Sequence, residues 1–213
     1  MASFPNELRQ EAKALVFRLG LGRPGGLTTI LVHLAILLLF GVVFPLQKGL
    51  DFPDPVIITA YACLGLVLSA PAAAQACAAN PPQTMPAVLS RIFIAVLYGE
   101  LMALAMLAGG ILTFNVAHWQ GQFMTPDFPT VGPALALGLT GSIALASTAA
   151  WVALRFSAAT ARAVMRVIFL GLLVLFFFYS RWLPDVAGKA ALIALALDVA
   201  ILGALTVRMR AAQ

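Results

Sequence analysis

Charge is what this sequence has least of. Asp and Glu together number eight and Lys and Arg thirteen, so only 10% of 213 residues are charged. Soluble domains carry about 25%. With so few charges a water-soluble globule could not cover its own apolar residues, which make up 62% of the chain. Cysteine is also scarce. Cys63 and Cys77 are the only two, and fourteen helical residues would hold them about 21 Å apart at ~1.5 Å per residue, beyond disulfide reach. They read as small packing residues. No CxxC or Cys/His cluster suggests a metal, and two histidines, His33 and His118, are too few and too far apart to form one. No GxxxxGK[ST] occurs, so this chain cannot cradle nucleotide phosphates. No Ser/His/Asp or His/Asp/Glu set converges, so no catalytic residue is nominated and the chain is read as a non-enzyme.

What is present is apolar sequence in long runs. Mean hydropathy is +0.99. A spanning helix needs about 20 mainly apolar residues to cross ~30 Å of hydrocarbon, and six stretches qualify, near 27–45, 56–77, 88–114, 131–154, 164–182 and 189–207. The first begins behind a charged segment and lacks a small-residue cleavage site, so it reads as a span and not as a cleaved signal. Phe44-Pro45 closes the first run, Asp51–Pro55 makes a tight loop, Pro133 falls in the first turn of the fourth span, and Leu183-Pro184-Asp185 separates the last two. Pro71, inside the second run, is expected to kink it by deleting a backbone hydrogen bond.

The net charge of +5 and pI near 9.8 would suggest nucleic acid in a soluble chain. Here the basic residues flank the runs and are not interleaved with exposed aromatics, so no nucleic-acid partner is expected. With the N-terminus inside, Arg9, Lys13, Arg18, Arg23, Arg91, Arg155, Arg162, Arg166, Arg208 and Arg210 all lie on the inner side. Lys48, Arg181 and Lys189 lie outside. That sorting needs an even number of spans and puts both termini in the cytoplasm. Trp119, Tyr179 and Trp182 then fit the outer aromatic belt, and Trp151 the inner one. Residues 6–19 are amphipathic: Leu8, Ala12, Leu15 and Leu19 recur at helical spacing, with Glu7, Arg9, Glu11, Lys13 and Arg18 opposite. Such a helix can lie among lipid headgroups, with Gly20–Gly26 as its elbow. The fold class is thus an all-α polytopic membrane protein, with a cytoplasmic amphipathic segment over 1–26 and a six-helix transmembrane domain over 27–213.

This layout resembles the permease subunits of type-2 ABC exporters, which have a cytoplasmic elbow helix, six spans and both ends inside. The run Leu135–Leu183, with its small-residue fourth span, basic inner loop and bulky fifth span ending at Leu183-Pro184, is similar to that family. So is the leader from Leu89-Ser90-Arg91 to Gly99-Glu100-Leu101. Leu197-Asp198-Val199 is similar to the haem-exporter permeases of cytochrome c maturation. The acidic box that many members carry after the second span is missing from Gln75–Pro86. The resemblance implies a bacterial inner-membrane protein that pairs with a second copy of itself and with a separate P-loop ATPase, where ATP and Mg are bound. This chain then holds no cofactor of its own.

Three intramembrane groups are candidates for the transport path. Asp198 falls about 13–14 Å beyond Lys189 by rise, near mid-bilayer, where an acid costs roughly 2.5–3.5 kcal/mol on insertion scales. It is either a polar group in a path or an interhelical hydrogen-bond partner. Glu100 is mid-membrane if the third helix runs 88–114, and at the inner mouth if Arg91–Tyr98 lies along the cytoplasmic surface. His33 is a helix–helix hydrogen-bond partner or a ligand. The inner turn, Asn80, Pro81, Pro82 and Gln83 with Arg91, is the candidate for coupling to an ATPase; the alternative is an ordinary loop. A non-transporting membrane anchor or scaffold of a larger complex is the second functional reading.

Overall fold

The computed structural model describes residues 4–18, 26–46, 54–79, 81–119, 121–156 and 180–211 continuously, and ten residues between 160 and 178. The elbow at residues 19–25, Lys48, the Asp51–Pro53 part of the first loop, Asn80, Arg162, Arg166, Phe169, Phe176, Phe177 and the Tyr179 ring lie outside them.

The described residues contain no strand. The helices are α1 (Phe4–Arg18), α2 (Gly26–Leu38), α3 (Pro55–Ala79), α4 (Met85–Ala117), α5 (Phe128–Arg155) and α6 (Leu183–Ala211). The ten described residues between α5 and α6 are helical as well. Four helices are long and apolar enough to cross a membrane: Pro55–Ala78, Met85–Ala117, Val131–Arg155 and Leu183–Arg210. Six runs qualify by hydropathy; the other two, the first and the fifth, are only partly described. The first keeps a shorter apolar helix, Leu31–Leu46. Its α-helix gives way to a π-helix at Leu39–Val43 and a 3₁₀ turn at Phe44–Leu46. The fifth is described too sparsely to form a counted helix.

Departures from α-geometry leave carbonyls to be satisfied by neighbours. Two hydroxyls do this. Tyr61 of α3 donates to the Phe40 carbonyl, and Thr113 Oγ1 of α4 donates to the Gly41 carbonyl at 2.9 Å. Gly41 and Gly109 face each other there; a Cβ on Gly109 would stand 3.4 Å from the Gly41 Cα.

α3 is the central helix, packing most extensively on α5 and then on α4, while α5 carries α6 and α4 carries α1. The main core joins Ala73 and Cys77 of α3, Val88 and Ala95 of α4, Ala146 and Ala150 of α5, and Leu205 of α6. Its alanines reflect how close the backbones come. A Cβ on Gly99 would sit 2.6 Å from the Gly65 carbonyl oxygen, and one on Gly138 would run into the Ala62 carbonyl. Without a strong hydrophobic force between helices in lipid, this close van der Waals fit is the main glue.

α3 continues through Pro71 to Ala79. Pro71 is exposed; the group its missing N–H leaves without its helical donor is the Val67 carbonyl, one turn earlier. Pro133 lies inside α5, not in its first turn, because the helix already begins at Phe128 with Pro129 as its early proline.

At the far end of α4, buried Asn115 fastens the loop to α5. Its Nδ2 donates to the Ile111 and Met124 carbonyls, both at 2.8 Å, and its Oδ1 accepts from the Met124 amide at 2.5 Å. Asn115→Ala should destabilise the protein by about 1–3 kcal/mol, the cost of stranding buried backbone groups. It should also expose residues 118–127 to limited proteolysis, the measurement that checks it.

Candidate functional site

The amphipathic α1 does not simply present its charges to headgroups. Glu11 is 8% exposed, and its Oε1 accepts from Arg91 Nε of α4 at 2.8 Å. Arg91, itself 6% exposed, also donates through Nη1 to the Ala76 carbonyl at 3.2 Å, three residues before the end of α3. A guanidinium suits this role because its fork reaches two acceptors in fixed geometry. Arg91 therefore joins α1, α3 and α4 beside the α3–α4 turn. In that turn Pro81 and Gln83 are exposed and Pro82 is buried. Thr84 caps α4, its side chain accepting from the Ala87 amide at 3.4 Å. Of the five coupling candidates, four cluster at this end of the α3–α4 hairpin.

The three path candidates are not brought together. His33 bonds Tyr98 across α2 and α4, with ring centroids 5.7 Å apart, which is the helix–helix reading of that histidine. Glu100 accepts from Ser142 Oγ of α5 at 2.5 Å, and its carboxyl fills the space that a side chain on Gly65 of α3 would need. It is a junction of three helices. α4 is unbroken from Met85 to Ala117, so Arg91–Tyr98 runs in line with the span and does not bend away along a surface. Glu100 lies fifteen residues into this helix, about 22 Å by rise.

Asp198 differs from both. It is 4% exposed on α6, and neither carboxylate oxygen has a hydrogen-bond partner among the described residues. Ser147 Oγ of α5 is likewise buried and has no hydrogen-bond partner among the described residues. Such groups are rare, because an unmade hydrogen bond in a buried site costs about 1–3 kcal/mol and more for a charged group. Near the end of α6, Arg208 Nη2 donates to the Leu154 carbonyl at 2.6 Å, tying α6 to the last turn of α5.

Among the described residues no three His, Cys, Asp or Glu side chains could hold a metal ion. Glu11, Tyr98, Ser142 and Ser147 escape a reading by residue type. Glu11 carried a usable signal: it lies three residues after Leu8 and four before Leu15, on the apolar side of α1. Ser142 and Ser147 sit within a small-residue run that reads as packing alone.

Comparison with protein families, curated proteins and solved structures gives no match for this chain. Its function is therefore argued from the geometry.

Proposed function

We propose that this chain is the membrane-spanning permease subunit of an ATP-driven exporter in the bacterial inner membrane. It moves an amphipathic or lipid-like cargo, acts with a second copy of itself, and is energised by a separate P-loop ATPase. In this reading the chain spans six times, the four long helices being joined by Gly26–Leu46 and by the segment 160–178. Both termini face the cytoplasm.

The observation that carries the reading is the Glu11–Arg91–Ala76 junction. It fastens an amphipathic surface helix to the inner end of the α3–α4 hairpin, next to a turn that exposes Pro81 and Gln83. A motor pressing on that turn would move α1, α3 and α4 as one body. Glu100, held by Ser142 where the same hairpin meets α5, would feel the displacement. The walls elsewhere are apolar, which suits a greasy cargo better than an ion.

The test is affinity purification of the tagged chain in mild detergent. A P-loop ATPase should co-purify in about equal amount, and Gln83→Arg should lower its recovery at least tenfold while leaving the thermal midpoint of the tagged chain unchanged. Recovery of a large assembly without an ATPase would overturn the proposal in favour of a membrane scaffold, a role that the acid-free stretch Gln75–Pro86 also suits.

A further inference from the structure

Two buried polar side chains, one on α5 and one on α6, have no hydrogen-bond partner among the described residues, and the register places them at about one depth. Leu137 of α5 packs with Ala187 and Ala191 of α6, and Leu154 is tied to Arg208, so the two helices run parallel and in step. Ser147 is ten residues past Leu137, about 15 Å, and Asp198 is eleven past Ala187, about 16 Å, at ~1.5 Å per residue. An open groove of about 370 Å³ between the same two helices is lined by Thr148, Trp151, Ala200, Ile201 and Ala204, residues that closely follow Ser147 and Asp198 in sequence. Trp151 is four residues after Ser147 and Ile201 three after Asp198, so each shares a helix face with the polar group before it. A polar pair thus adjoins an apolar groove.

We infer that this seam binds an amphipathic cation, its ammonium head on Asp198 and Ser147 and its hydrocarbon tail in the groove beside Trp151. A carboxylate and a hydroxyl together offer several acceptor positions, and an ammonium supplies three donors and the opposite charge. The attraction is strong because the surroundings have a low dielectric. The chain does not supply that cation from α6: Lys189 lies nine residues before Asp198, and Arg208 lies ten beyond it with one nitrogen committed to Leu154. The carboxylate oxygens are covered, so the head enters by parting α5 from α6. Above Asp198 the buried side of α6 consists of Ala187, Ala191 and Ala194, small side chains that separate without unlocking larger knobs. The inference rests on the transport reading only in calling the occupant a cargo; it narrows that cargo to cationic amphiphiles.

The experiment uses the full chain in lipid nanodiscs without any ATPase. Trp119 and Trp182, both well exposed, are replaced by phenylalanine, so that Trp151 is the sole indole. Dodecylammonium should shift its fluorescence saturably, with at least tenfold weaker binding in Asp198→Asn and about threefold weaker binding in Ser147→Ala. Dodecanol, with the same tail and no charge, should bind at least tenfold more weakly than dodecylammonium to the protein with Asp198 intact. Equal affinity for the two probes would overturn the inference and leave a greasy groove. So would equal dodecylammonium binding by folded Asp198→Asn. The probe comparison needs no change at Asp198 and decides the matter even if that variant fails to fold. A failed binding assay leaves the ATPase association standing, and a failed association leaves the binding result standing.

Discussion

Arg91→Met should lower stability by about 3–5 kcal/mol, the penalty for breaking a buried ion pair by removing one partner. The substitution keeps an unbranched apolar stem, so little volume is lost. It strips the guanidinium from a carboxylate that is 11% exposed at its side chain, and it takes the Nη1 donor from the Ala76 carbonyl. Arg91→Lys keeps the charge but cannot reach two acceptors in the same plane, so its loss should be intermediate. Glu11→Gln with Arg91→Met should cost less than the sum of the two single changes, by about 2 kcal/mol of coupling. Denaturant titration of the purified protein in detergent measures all four. In Arg91→Met, α1 should also become the first site of proteolysis, since the ion pair ties it to the hairpin. Additive single and double variants would show that α1 is held by its apolar face alone, and would remove the support on which the motor-coupled reading rests.

That pair also marks where sequence reasoning stopped. The apolar runs, the proline breaks and the small-residue character of α5 are local properties, and each is visible in composition and spacing. Four long apolar helices and an amphipathic first helix follow directly from them. The depth and partner of a single polar side chain do not. Glu11 and Arg91 are eighty residues apart, and nothing in either local window announces that they meet. Glu100 illustrates the same limit: no local signal says whether the chain bends after Tyr98, and α4 runs through it unbroken. Gly99, directly before it, was the better clue, since a glycine beside a mid-helix acid marks a place where another backbone comes close. The first run shows a further limit. Hydropathy reports length but is blind to hydrogen-bond register, and the π-helix at Leu39–Val43 depends on hydroxyls that Tyr61 and Thr113 bring from other helices.

The same close approach sets the last expected result, which contrasts glycines in different neighbourhoods. Gly99→Ala should destabilise the protein by about 3 kcal/mol, the upper end of ordinary overpacking losses, while Gly203→Ala should be neutral or stabilising by up to ~1 kcal/mol from helix propensity. Both sites are helical and both changes add one methyl. At Gly99 the new carbon would lie 2.6 Å from the Gly65 carbonyl oxygen and 3.0 Å from the Ser69 amide nitrogen, whereas at Gly203 nothing lies within 4 Å. The neighbours at Gly99 are backbone and cannot turn aside as a side chain would, so α3 and α4 must separate. That separation reaches the polar groups, because Glu100 is the next residue and its carboxyl occupies the space beside Gly65 while accepting from Ser142 on α5. Gly138→Ala, aimed at the Ala62 carbonyl, should behave like Gly99→Ala, since it wedges the other side of the same central helix. Thermal midpoints of the three variants in one detergent give the order. If Gly99→Ala and Gly203→Ala proved equally tolerated, α3 and α4 would not be in backbone contact, and the placement of Glu100 at a three-helix junction would fail with it.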